Sequence, residues 1–259
     1  MNKSKLYVDS NLDKEKILTQ FYKYEFKSKS RSMKIHSSID HLTAITLNNL
    51  IKDNNFSNVL EIGMAFGTSS LAIIAALPKS GSLYSIDPHQ TDAKHWDSVG
   101  LIRLNNSNTI HKHCLIQEKS FIALPELMKK GDLFDFIYID GWHTFDATLI
   151  DLFYSDKLLK PNGFIGVNDS SFASVNKALN WFLSHRDYQE VVTNLPHKYR
   201  RIRHSGNKRR FWDDLIDGGL KFTPLGKLDK SLFNSVRAED RYFRKLSSKE
   251  PSWNYFSRF

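Results

Sequence analysis

The sequence predicts an α/β fold: a mostly parallel sheet of seven strands that ends in an antiparallel hairpin, with helices on both faces. Three observations carry this. From residue 58 to 184, short apolar runs alternate regularly with helix-like stretches. Four of the five apolar runs in that span end in an acid, at Glu61, Asp87, Asp140 and Asp169. Beyond Ser184 the pattern changes to two short runs around Asn194-Leu195-Pro196-His197. Alternating strands and helices imply right-handed crossovers and a parallel sheet covered on both sides. Such a sheet binds its ligand at the carboxyl ends of the strands.

Each element follows from local pattern. Residues 11–27 read as an amphipathic helix with Ile17, Leu18, Phe21, Tyr22 and Phe26 near one face. A basic, serine-rich stretch follows. Ser37 and Asp40 then read as a capping box for a helix running to about Lys52. Strands are expected over 58–62, 82–86, 110–116, 134–139 and 164–167. Helices are expected over 68–76, 91–104, 120–130, 145–159 and 173–184. Runs 188–193 and 199–204 form the hairpin. Leu228, Leu232, Phe233, Val236 and Phe243 recur at near-helical spacing from an Asp229 cap. The expected units are N-terminal helices over 1–55, a core over 56–204 and a basic, aromatic extension over 205–259.

Composition narrows the function classes. With 259 residues and 41% hydrophobic content the chain is globular rather than disordered. No apolar run approaches the roughly 18–20 residues of a membrane span, and the N-terminal residues lack the apolar core of a secretory signal, so the expected location is the cytoplasm. One cysteine, Cys114, excludes an internal disulfide and a cysteine-based zinc cluster. The net charge of +9 is uneven. Residues 1–195 hold 21 basic and 21 acidic residues, and residues 196–259 hold 16 and 7. The excess therefore belongs to the C-terminal stretch, which suits a contact with a second subunit or an anionic partner.

The most informative stretch is VLEIGMAFGTSSL, residues 59–71. A strand runs into a glycine loop and then into a helix, whose free N–H groups face whatever the loop holds. The spacing fits neither G-x-G-x-x-G nor G-x-x-x-x-G-K-[ST]. It is E-x-G-x-x-x-G. Asp87 follows Gly67 by 20 residues, at the end of the next strand, where an acid can accept from both hydroxyls of a ribose. It also suits a helix cap. Asp140 opens the D-G-W-H turn with His143, and Asp169 ends the fifth strand. These two acids can likewise cap the helices that start near Thr144 and Ser171.

Together E-I-G-x-x-x-G, S-I-D, Y-I-D-G-x-H and P-x-G-x-x-x-x-x-D, spread over about residues 40–204, resemble the class I S-adenosylmethionine-dependent methyltransferases. The likeness is to the bacterial O-methyltransferases that act on small molecules and sugars. The resemblance implies a Rossmann-like sheet. It implies that Glu61, Gly63, Met64, Gly67, Thr68, Asp87, Ser120 and Asp140 hold S-adenosylmethionine. Where relatives show Gly-x-Ser beside the adenine, this chain has Glu118-Lys119-Ser120. In cation-binding relatives Asp140 and Asp169 would hold Mg²⁺, and Ser170 stands where an Asn or Asp often follows.

The implied chemistry is attack by an acceptor hydroxyl on the sulfonium methyl, with the protein positioning the two groups in line. A cation on Asp140 and Asp169 would lower the hydroxyl pKa, and His143 is the candidate general base. His143 can equally order the turn or touch the cofactor. His89 reads as a surface residue. The expected acceptor is a sugar or another small hydroxylated metabolite, anionic or lipid-linked if the basic extension takes part. Two other readings stay open: a nucleic-acid methyltransferase gripping its substrate with that extension, and a non-catalytic, cofactor-binding assembly partner. Against nucleic acid, the loops lack the N-P-P-Y-like block of base-modifying enzymes.

Overall fold

The computed structural model describes residues 5–27, 32–36, 38–191 and 240–259. Helix α1 (Lys14–Tyr22) is capped by Asp13, whose side chain accepts from the Lys16 N–H. A two-stranded antiparallel ribbon follows, β1 (Glu25–Lys27) and β2 (Ser32–Lys34). Helix α2 (His41–Asp53) starts at Asp40, whose carboxylate accepts from the Thr43 N–H. Ser37, its expected partner in the capping box, lies outside the described residues.

The alternating region then runs β3 (Asn58–Ile62), α3 (Thr68–Ala76), β4 (Ser82–Ile86), α4 (Val99–Asn106), β5 (His113–Ile116) and α5 (Ser120–Lys130). It continues with β6 (Phe134–Ile139), α6 (Phe145–Leu158), β7 (Leu159–Val167) and α7 (Ala173–His185). The last strands are β8 (Tyr188–Val191) and β9 (Arg241–Lys245). The seven-stranded sheet has the order β5-β4-β3-β6-β7-β9-β8. Its first five strands are parallel, and β9 runs antiparallel to both of its neighbours. This is the Rossmann-like sheet with a terminal antiparallel pair that the sequence predicts.

Four local expectations are corrected. Phe26 sits on β1 instead of extending the first helix, because the chain leaves helical geometry at Lys23. Residues 91–98 make turns, and the helix starts only at Val99. Residues 110–112 form a single 3₁₀ turn before β5. Phe243 lies on β9 and is buried, so its near-helical spacing was coincidental. The partner of β8 among the described residues is β9; the run 199–204 lies outside them, as do Leu228, Leu232, Phe233 and Val236.

Both faces of the sheet are covered. On one side α3, buried along its whole length, packs with α1 and α2 against Val59, Phe136 and Phe164. A helix apolar all round requires such cover. On the other side α5, α6 and α7 close over Leu60, Ile137, Ile139 and Ile165. Buried Asn48 ties the N-terminal segment to this frame, bonding the Tyr7 N–H and C=O and the Ala72 carbonyl.

The end of the sheet is locked by charge. Buried Asp156 on α6 lies 3.0 Å from Arg186 Nε and 3.2 Å from Lys245 Nζ, and it accepts from the Tyr188 hydroxyl at 2.8 Å. Removing one partner of a buried ion pair typically costs about 3–5 kcal/mol. Asp156→Ala is therefore expected to lower the unfolding free energy by that order. Urea denaturation checks it; a midpoint equal to wild type would show that β8 and β9 are held by other means.

Candidate active site at the carboxyl ends of the strands

The glycine loop leaves β3 through Gly63, whose φ of +93° suits a residue without a side chain. A Cβ there would also lie 2.7 Å from the carbonyl carbon of Asp140. The loop after β3 and the loop after β6 thus touch backbone to backbone. Gly63 N–H donates to the Ile86 carbonyl, and Asp140 N–H to that of Ile62. Gly67, at φ +72°, turns the chain into α3.

Glu61 sits behind this loop with no exposed surface. One carboxylate oxygen accepts from the Ser69 hydroxyl, the other from Ser70 at 2.6 Å and Ser85 at 2.7 Å. Burial pushes its pKa up to about 7, against the pull of those three hydroxyls. The side chain braces α3 and β4 rather than facing the open ends of the strands. Thr68 is likewise engaged: its hydroxyl accepts from Arg103 Nη1 at 2.8 Å. Met64 is buried within the loop.

Asp87 lies at the end of β4 against the same loop. Its Oδ2 accepts from the N–H groups of Met64 and Ala65 at 3.2 and 2.9 Å and from Gln90 Nε2 at 3.2 Å. Its Oδ1 accepts from the His89 N–H at 2.8 Å. Asp87 therefore caps no helix; it shapes the glycine loop. Ser120, at the start of α5, is turned toward buried Asp151 on α6.

At the ends of β6 and β7, Asp140, His143 and Asp169 come together. His143 Nε2 lies 3.3 Å from Asp140 Oδ1 and 3.7 Å from Asp169 Oδ2. Burial works against the charged imidazole, but the pull of Asp140, with Asp169 and Asp151 behind it, holds the pKa above its ordinary 6.5. The Ser174 hydroxyl donates to the His143 carbonyl at 2.5 Å, and Phe172 meets the ring edge-on. Neither acid caps a helix, since α6 starts after Thr144 and α7 after Phe172.

Mg²⁺ demands near-octahedral oxygen ligands at about 2.0–2.1 Å. Here the imidazole stands between the two carboxylates. Asp140, His143 and Asp169 do not form a group whose donor atoms all lie within 4.8 Å. Ser170 is fully buried. This arrangement does not fit the cation.

Several residues escaped the sequence reading. Asn168, one place before Asp169, donates to Asp140 Oδ1 at 2.7 Å. Asp151 lies eight residues beyond His143, and burial pushes its pKa up to about 6. Asp240 accepts from the hydroxyls of Tyr138 and Tyr242 at 2.8 and 2.9 Å, and burial drives it up to about 8. Arg103 is buried, has no carboxylate partner among the described residues, and donates to the carbonyls of Phe66 and Gln20. The D-G-W-H turn leaves Trp142 71% exposed beside His143. Only Asn168 and Trp142 had a signal, as neighbours of motif residues.

Parts of the chain are similar to known proteins. The family model described as a methyltransferase domain matches residues 60–170. Caffeoyl-CoA O-methyltransferase 2 of Petunia hybrida is 28% identical over 131 residues, covering 48% of this chain and 50% of the relative. The caffeoyl-CoA O-methyltransferase of Pinus taeda is 30% identical over 110 residues, covering 40% and 41%. The chain spans about half the length of the curated relatives it matches. Among solved structures, the O-methyltransferase TomG from Streptomyces achromogenes, in complex with SAM, superposes with a TM-score of 0.53 at 19% identity, over 60% of this chain and 73% of that one. The O-methyltransferase from Bacillus cereus, in complex with SAH, gives 0.53 at 16%, over 61% and 77%. These likenesses bear out the fold.

The segment matched by the family model holds Glu61, Asp87, Asp140, His143 and Asp169, while Asp240 lies outside it. A buried carboxyl whose pKa is raised on folding stabilises the fold below its unfolded value and loses that contribution as pH rises through its folded value. For Glu61 the window runs from 4.5 to about 7. Glu61→Gln, which keeps the shape without the charge, is expected to flatten the fall in melting temperature across that window. An unchanged slope in thermal melts at several pH values would assign the dependence to other groups.

Proposed function

We propose that this chain is an S-adenosylmethionine-dependent O-methyltransferase that methylates a hydroxyl of a small-molecule acceptor. The observation that carries this reading is the placement of His143. Its imidazole, flanked by Asp140 and Asp169, stands on the strand end whose backbone touches Gly63. That puts a proton acceptor beside the loop that would hold the cofactor.

In this reading Gly63, Met64 and Gly67 line the methionine part of S-adenosylmethionine. Asp87 Oδ1, which takes one backbone N–H, accepts from the ribose hydroxyls. Glu61 and Thr68 act from behind, by holding α3 and the loop in place. The acceptor oxygen attacks the methyl carbon in line with the C–S bond. The new C–O bond forms as the C–S bond breaks and its electron pair stays on sulfur, leaving S-adenosylhomocysteine. The hydroxyl proton passes to the His143 imidazole, and Asp140 and Asp169, which face its Nε2, stabilise the imidazolium that results. Such a base contributes about 10²–10⁴-fold. Mg²⁺ finds no gathered ligand set at Asp140 and Asp169 in this structure, and no step is routed through it.

The acceptor class is read from the mouth of the site. Exposed Trp142 offers an apolar plane next to the base, which suits the ring of a sugar or an aromatic alcohol. The names of the plant relatives point toward an aromatic acyl-CoA. The likeness to sugar O-methyltransferases points toward a saccharide. A mass-spectrometric screen of both classes for methyl gain separates them.

Two measurements test the core of the reading. Calorimetry with S-adenosylhomocysteine should show binding to wild type and at least about tenfold weaker binding to Asp87→Ala, a loss near 1.4 kcal/mol; a wild type that does not bind ends the reading. The His143 ring should titrate above its ordinary 6.5 by imidazole NMR, and Asp140→Asn should move that midpoint down. Because the base must be neutral, turnover should rise with pH through the same midpoint. A pH-independent rate would remove His143 from the reaction.

A further inference from the structure

We propose that His89, Asp92 and His95 form a divalent-cation site, suited to Zn²⁺ or a similar borderline metal, on the loop between β4 and α4. Among the described residues this is the one group of three His, Cys, Asp or Glu side chains whose donor atoms all lie within 4.8 Å of one another. It is separate from the Asp140–His143–Asp169 cluster, and it uses a residue, His89, that the sequence alone marks as surface.

The backbone builds the group. Asp92 N–H donates to the His89 carbonyl at 3.1 Å, and His95 N–H to the Asp92 carbonyl at 3.0 Å. Two successive turns thus bring residues three apart onto one side of the loop. His95 Nδ1 already lies 2.7 Å from Asp92 Oδ2. The rings of His89 and His95 stack with centroids 4.3 Å apart and planes 18° from parallel. Among the described residues the His89 ring has no side-chain hydrogen bond, so local bonding does not explain why it is held there. Two imidazoles and one carboxylate are a donor set that borderline divalent metals take, with remaining positions left to water. His89 and Asp92 are half-buried and His95 is exposed, so an ion can enter from solvent and rotation of the rings can close the shell.

The position of the loop indicates what a bound ion would do. The His89 N–H donates to Asp87 Oδ1. Gln90 Nε2 donates to the Ala65 carbonyl at 2.6 Å and to Asp87. Trp96 packs edge-on against Phe66 at 5.2 Å. Residues 89–96 therefore grip the glycine loop from outside, and a cation joining 89, 92 and 95 would stiffen that grip. The ion would be structural, acting on the order of the loop without entering the site beside His143.

The test uses the full chain, stripped with chelator and desalted, titrated with Zn²⁺ by calorimetry in a non-coordinating buffer. Wild type should bind one equivalent that is lost in the double variant His89→Ala/His95→Ala. Each single variant should bind at least about 100-fold more weakly, since even loss of an outer-shell partner costs about 10–100-fold. Titration with Co²⁺ should give visible ligand-field bands in wild type and none from this equivalent in the double variant. Asp92→Asn, which keeps the shape of the turn, gives the same comparison if a histidine variant melts early. A wild type that takes up no Zn²⁺, or a double variant that binds it with the same stoichiometry and affinity, overturns the proposal.

Discussion

The site depends on a backbone contact that only glycine permits. At Gly63 the loop after β3 lies against the carbonyl of Asp140 at the end of β6, with no room for a Cβ. This contact makes the glycine loop and the acidic strand ends one surface. It follows from the sheet order, because β3 and β6 are neighbours although more than 70 residues separate them in the chain. A parallel sheet places both loops at the same edge, and the missing side chain lets them close.

Around that contact the protein keeps several ionisable groups out of water. Glu61, Asp151 and Asp240 are carboxyl groups whose pKa values burial raises. Taking an isolated carboxylate out of water is costly, and the proton-bound form avoids that cost. Each also has hydroxyl partners: serines for Glu61 and Asp151, tyrosines for Asp240. His143 is held toward its charged form instead, because two acids face it at close range. Arg103 donates to carbonyls and to the Thr68 hydroxyl, and it joins the end of α1 to the loop before α3. The polar interior thus holds the N-terminal helix, the glycine loop and the last strands in a common frame.

Much of the architecture was legible because periodicity is a local property. The strands at 58–62, 82–86 and 134–139 and the helices at 68–76 and 120–130 have the bounds their apolar patterns imply. Where local pattern and tertiary packing compete, the pattern failed. Residues 91–98 have enough polar and apolar mixing for a helix, yet their carbonyls are drawn into turns, and Trp96 packs on Phe66 of the glycine loop. Phe243 has helical spacing from residues far upstream, but it is buried on a strand between β7 and β8.

By itself the sequence determined the order of the elements, the place of the glycine loop, and the acids that end the strands, because each is written in neighbouring residues. Only the tertiary structure decided what those acids do. It turned Glu61 inward to three serines, engaged Asp87 with loop N–H groups, and set His143 between Asp140 and Asp169. It also brought Asp240 to the edge of the site from about 70 residues beyond Asp169. The reason is physical: whether a carboxylate braces, binds or stays protonated depends on burial and on partners supplied by other strands. Those partners are fixed by the order in which the strands lie side by side.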